Sequence, residues 1–152
     1  MKKVTIFSII FFVVDFFVKL IISSNLKLYD TINIIPNFFR IVYVRNTGAA
    51  FSILENSRIL FIIVAIIAIV LLYKYFIKNV NENKFNILCY SMLTGGILGN
   101  LFDRIVYGYV IDYLSFDIFG YKFPVFNLAD SYIVISIILL ILKEVKESVW
   151  KV

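Results

Sequence analysis

The chain has 152 residues, 62% of them apolar and 18% aromatic, and its mean hydropathy of +0.95 lies far above that of soluble domains, so it reads as an integral membrane protein. It has no histidine and a single cysteine, Cys89, which excludes a Ser-His-Asp triad, a Cys-His pair, the usual His or Cys zinc sites and an internal disulfide. The net charge of +5 comes from basic residues scattered at the ends of apolar runs, a membrane pattern and not a nucleic-acid-binding face.

The first apolar run, Val4 to Ile22, follows Lys2-Lys3 and is interrupted only by Asp15 and Lys19; its length is close to the roughly 20 residues that cross a bilayer. Asp15 breaks the apolar core and no small-x-small cleavage pattern follows, so the run is read as an anchoring helix and not a cleaved signal peptide. A second span runs from about Ile59 to Ile77, with Lys74 placed to snorkel. After a polar turn at 78–84, Phe85 to Phe102 carries no charge, giving a third helix over about 85–106. A fourth is expected over about 127–145.

The expected fold class is an all-α membrane protein, a single domain over 1–152 with four transmembrane helices and outer loops at 23–58 and 107–126. Lys2, Lys3, Lys74, Lys78, Lys84, Lys143, Lys146 and Lys151 fall on one side, against Lys27, Arg40, Arg45, Arg58 and Lys122 on the other. This bias, with the lysine pair flanking the first helix, puts both termini in the cytoplasm. In the first outer loop, Ile32–Ile35, Phe38–Val44 and Ala50–Leu54 are rich in β-branched and aromatic residues, and Pro36-Asn37 and Asn46-Thr47-Gly48 are turn signals. They predict a small extracytoplasmic β-cradle. Its composition suits equally a sheet lying on the membrane surface and a β-cap packed on the helices.

Charges inside spans cost about 2.5–3.5 kcal/mol each at mid-helix, so they face a bundle interior or a wet cavity. Asp15 and Lys19, four apart, can neutralise one another; a purely structural pair and a functional one are both open. Asp103 lies near the outward end of the third span and Asp130 near the outward start of the fourth, so the two share a depth. Asparagines three residues earlier, Asn100 and Asn127, can orient each acid, while Gly95-Gly96 and Gly99 permit close helix approach. Two acids held close cannot both ionise easily, and the shared proton makes one an acid and the other a base for amide hydrolysis. Arg104 can pair with Asp103 or Asp112 or serve as an interfacial anchor.

These motifs resemble the lipoprotein signal peptidases, the bacterial type II signal peptidases, over nearly the whole chain. The resemblance is carried by Asp15 with Lys19, Asn46-Thr47-Gly48-Ala49-Ala50-Phe51, Gly95-Gly96 through Asn100-Leu101-Phe102-Asp103-Arg104, Val110-Ile111-Asp112-Tyr113 and Phe126-Asn127-Leu128-Ala129-Asp130-Ser131. It implies an aspartic endopeptidase of the bacterial cytoplasmic membrane, working near the outer face without a cofactor or metal. Its substrate would be a prolipoprotein bearing a diacylglyceryl-modified cysteine, cut just before that cysteine among the membrane lipids. By the resemblance Asp103 and Asp130 are the catalytic dyad. Asn46, Gly48, Asn100, Arg104, Asn127 and Ala129 surround it, Asp15 and Lys19 support it, and Asp112 joins the supporting residues. The family commonly has glutamine where this chain has Phe16, which removes any polar role there. The alternatives are a small transporter or proton-relay bundle using intramembrane aspartates, and a Ser-Lys peptidase using Lys19.

Overall fold

The computed structural model describes residues 2–48, 54–78 and 81–149. Among these residues, four helices are interspersed with the strands of a four-stranded antiparallel sheet. Helix α1 is Lys2–Asn25, strands β1 and β2 are Thr31–Ile35 and Phe39–Asn46, and helix α2 is Arg58–Leu71, continued by a π-helical turn over Leu72–Ile77. Helix α3 is Lys84–Val106, strands β3 and β4 are Val110–Ile118 and Tyr121–Lys122, and helix α4 is Leu128–Val149. Three helices, α1, α2 with its π-turn, and α3, are long and apolar enough to cross a membrane. In α4, Asp130 at one end and Lys143, Glu144, Lys146 and Glu147 at the other bracket a shorter uncharged stretch.

The least apolar of the three candidate spans, α3, is the most buried, while the most apolar, α2, buries none of the residues of its most apolar stretch. That inversion suits a bundle in lipid, where small and polar residues mediate helix contacts and greasy ones face the acyl chains. Helix α3 packs between α1 and α4, whereas α2 packs on α3 alone among the helices with substantial contact. The glycines explain the central position of α3. A Cβ on Gly95 would lie 2.6 Å from Phe11 Cβ of α1, and one on Gly96 would lie 2.5 Å from the Ala129 carbonyl of α4.

Strands β1 and β2 form the expected hairpin of the first loop. The third expected strand, Ala50–Leu54, falls outside the described residues except for Leu54, which lies in a turn. The sheet is completed from the second outer loop, for which no strand was expected: β3 pairs with β2 and becomes an interior strand. Gly108, at φ +86°, turns the chain from α3 into β3; left-handed backbone of this kind favours glycine. One face of the sheet sets Tyr43, Ile111 and Tyr113 against Val18 and Ile22 of α1 and Leu26 just beyond its end.

A β-bulge interrupts the β2–β3 register between Ile41 and Val44. Ile41 pairs with Leu114, but Val44 pairs with Asp112 and Asn46 with Val110. Because side chains alternate with period two, the extra residue moves Asn46 onto the face that carries Asp112.

Candidate active site

The N-terminus of α4 is sunk in the protein, so each of its unpaired backbone N–H groups requires a partner. Leu128 N donates to the Tyr113 hydroxyl (3.2 Å), Ala129 N to Asp15 Oδ1 (3.0 Å), Asp130 N to Asn127 Oδ1 (2.9 Å) and Ser131 N to the Asn127 carbonyl (3.2 Å). Asn127 N in turn donates to Asp130 Oδ2 at 3.3 Å. Asn127 and Asp130 thus form a reciprocal capping pair, with the acid three residues inside the helix where its charge meets the positive end of the helix dipole.

With its oxygen in the cap, Asn127 has its amide nitrogen free to reach beyond the helix. Its Nδ2 donates to Asp112 Oδ1 (2.7 Å), Asn100 Oδ1 (3.2 Å) and the Ile111 carbonyl (3.3 Å). Asp112 Oδ2 accepts from Asn46 Nδ2 at 2.8 Å, so an amide addresses each oxygen of this buried carboxyl. Burial pushes the Asp112 pKa up to about 7; the Asp130 charge adds to the rise, while the Asn46 and Asn127 amides and the Lys19 charge oppose it.

The Lys19 ammonium, buried at 2% exposure, contacts Asp15 Oδ2 (2.8 Å), Asp103 Oδ2 (2.9 Å) and Asn100 Oδ1 (3.1 Å). These three contacts match the three donors of an ammonium. Since Asn100 Oδ1 accepts from Lys19, its Nδ2 is the end that donates to Asp130 Oδ1, at 2.7 Å.

A cavity of about 640 Å³ opens beside this network. Its polar side carries Asn46, Asn100, Arg104, Asp112 and Asp130; its apolar side includes Phe61 of α2, Phe123 and Phe126 of the loop before α4, and Val134 and Ile135 of α4.

Several expectations about individual contacts require correction. Asp103 was expected to face Asp130, but it is buried, holds Lys19, accepts the Ile111 N–H at 3.1 Å and does not line the cavity. A chain of contacts through the Lys19 ammonium and the Asn100 amide links it to Asp130. The acid that shares the cavity with Asp130 is Asp112, expected only in a supporting place. Asn100 serves Asp130 across the helix interface and not Asp103 on its own helix. Arg104 forms no ion pair with Asp103 or Asp112 among the described residues; it donates to the Gly48 carbonyl (3.0 Å) and lies 4.7 Å over the Phe61 ring.

Ala129, fully buried, presents its Cβ to Gly99. Phe16 joins an aromatic cluster with Phe12, Phe17 and Phe102. Ala49, Ala50 and Phe51 of the first-loop motif lie outside the described residues. Tyr113 and Phe126 entered the sequence reading only as members of motifs, without a role of their own, and Phe61 was not singled out, since nothing in the sequence separates it from the many other aromatics of the chain.

Fold and site define a membrane enzyme built around buried carboxylates. The family model for signal peptidase (SPase) II matches residues 7–146. Lipoprotein signal peptidases of Staphylococcus aureus strains JH9 and Newman are each 40% identical over 145 residues, covering 95% of this chain and 87% of theirs. A solved bacterial membrane enzyme superimposes with a TM-score of 0.91 at 36% identity over 100% of this chain and 93% of its own, and a second with 0.85 at 37% over 96% and 94%. The chain belongs to the signal peptidase II family, and is a peptidase; nothing in these likenesses supports a transporter.

Proposed function

We propose that the chain removes the signal peptide from prolipoproteins that carry a diacylglyceryl-modified cysteine, cutting just before that cysteine, and that Asp112 and Asp130 are its catalytic pair. The observation that carries this reading is the cavity lined by both carboxyls, joined through Asn127, from which Asp103 is withdrawn by its ion pair with Lys19. Asp112, with its pKa at about 7, holds the proton and hydrogen-bonds the scissile carbonyl. Asp130, at a helix N-terminus and accepting two N–H donors, is the charged base. It takes a proton from water as the hydroxide adds to the carbonyl carbon. The tetrahedral intermediate collapses with a proton passing to the leaving cysteine amine, so no cofactor is required.

Asn46 and Asn127 orient Asp112, Asn100 orients Asp130, and Arg104 braces the Gly48 turn at the rim. Asp15, Lys19 and Asp103 form the buried anchor beneath them, and Ala129 lets α4 approach α3. The apolar wall takes the acyl chains and the signal helix. These enter from lipid between α2 and α4, which share no substantial contact, so that binding energy remote from the scissile bond positions it.

The whole chain works as one domain. Helix α4 serves as a fourth span, both termini are cytoplasmic, and the sheet end faces outward from the bacterial cytoplasmic membrane. The test uses purified protein in detergent and a diacylglyceryl-modified prolipoprotein. Asp112→Asn and Asp130→Asn are expected to abolish cleavage while the protein remains folded. Full activity in Asp112→Asn, with loss in folded Asp103→Asn, would restore the Asp103–Asp130 pairing. An active Asp112→Asn beside a folded but inactive Lys19→Met would favour a Ser-Lys peptidase.

A further inference from the structure

We propose that Arg58 is a positioning residue for cleavage, fastening the sheet end of α2 to α3 and, through Phe61 and Arg104, holding the Asn46–Gly48 turn against Asp112. The inference rests on the Asp112–Asp130 reading of the site. Helix α2 buries no side chain between Arg58 and Leu71, so its place against α3 depends on a few directed contacts. Arg58 provides two: Nε donates to the Arg104 carbonyl and Nη2 to the Ile105 carbonyl, both at 2.7 Å. These carbonyls lie in the last turn of α3, where no intrahelical donor exists and the helix end is negative. A guanidinium satisfies both geometry and charge.

One turn further along α2, the Phe61 ring carries the Arg104 guanidinium at 4.7 Å. The edge of α2 therefore grips the α3 backbone and one α3 side chain at the same level. Arg104 Nη2 donates to the Gly48 carbonyl at 3.0 Å, and Gly48 N donates to Asn46 Oδ1 at 2.9 Å. With its oxygen so engaged, Asn46 turns Nδ2 toward Asp112 Oδ2, at 2.8 Å.

The groups facing Asp112 are Asn46 of β2, Asn127 at the head of α4, Asp130 of α4, Lys19 of α1 and Arg104 of α3. The Asn46 amide is the one whose placement runs back to Arg58. That amide stabilises the charged carboxylate, so releasing it lets Asp112 keep its proton to higher pH.

The experiment records pH–rate profiles of the full chain in detergent micelles, cleaving a diacylglyceryl-modified prolipoprotein, for wild type, Arg58→Gln, Arg58→Lys, Phe61→Leu and Asp112→Asn. Arg58→Gln is expected to lower kcat about tenfold, a displacement effect at the reacting groups, and to move the alkaline limb upward by about half a pH unit. Arg58→Lys recovers part of kcat, and Phe61→Leu moves the limb in the same direction. If Arg58→Gln fails to fold, judged by the reactivity of buried Cys89, Phe61→Leu decides. Limbs that stay in place in the folded variants overturn the inference, whereas a fully active Asp112→Asn overturns the reading of the site itself.

Discussion

Replacing Lys19 with methionine tests the buried charge cluster most directly. The substitution keeps much of the side-chain volume and deletes the ammonium that lies 2.8 Å from Asp15 and 2.9 Å from Asp103, with all three side chains almost wholly buried. Two carboxyls then remain within about 6 Å of each other without a cation, a distance at which their repulsion in a poorly screened interior is substantial. Breaking a buried ion pair by removing one partner costs about 3–5 kcal/mol. That corresponds to a fall of roughly 6–20 °C in thermal midpoint for a chain of this size. The single buried cysteine supplies the assay: a thiol-reactive fluorophore labels Cys89 as the micelle-embedded protein opens on heating. A midpoint within about 2 °C of wild type at neutral pH would refute the assignment of Lys19 as the counter-ion of both aspartates.

The pH profile of cleavage follows from Asp112: it carries its proton below about 7 and loses it above, so kcat/KM should fall as pH rises through that value, and a flat profile with chemistry rate-limiting would contradict the acid role. Asp112→Asn should reduce cleavage by at least about 10³-fold in folded protein, the loss expected of a group acting at the reacting atoms. Asp103→Asn, in contrast, should lower the thermal midpoint and retain more cleavage per folded molecule than Asp112→Asn, as single-turnover assays on both would reveal. Gly96→Ala forces a Cβ toward the Ala129 carbonyl at 2.5 Å; overpacking of this kind costs about 1–3 kcal/mol, and a midpoint equal to wild type would show that α4 yields freely.

The helices were legible because long apolar runs need only composition and length to be seen. The β1–β2 hairpin was legible from β-branched and aromatic runs split by Pro36-Asn37. Strand β3 was not: Val110–Ile118 includes Asp112 and Asp117, which read as loop residues, and it is buried in its first half, so no clean polar–apolar alternation marks it. The site was half legible for the same reason. Asp130 and Asn127 are joined by a local capping pattern that spacing reveals, whereas Asp112 reaches them through the turn at Gly108 and the pairing of β3 with β2. Asn100 looked like a partner for Asp103 by helical spacing, yet its amide is aligned by Lys19, 81 positions away in the sequence. Local periodicity carries no information about such a contact.

On the proposed reading of the cavity, the isolation of α2 would give the bilayer a part in catalysis. Among the described residues Ile77 is its one buried side chain and α3 its substantial helix partner, so beyond the Arg58 and Phe61 contacts to α3 little packing opposes an adjustment of its tilt to hydrocarbon thickness. Its 20 residues span about 30 Å at 1.5 Å per residue, a close match to an average hydrocarbon core. In thinner or thicker membranes hydrophobic mismatch tilts or shifts this helix, carrying Phe61 with it and reshaping the cavity wall. Acyl-chain length would thereby become a variable of the enzyme, one that a soluble protease does not have.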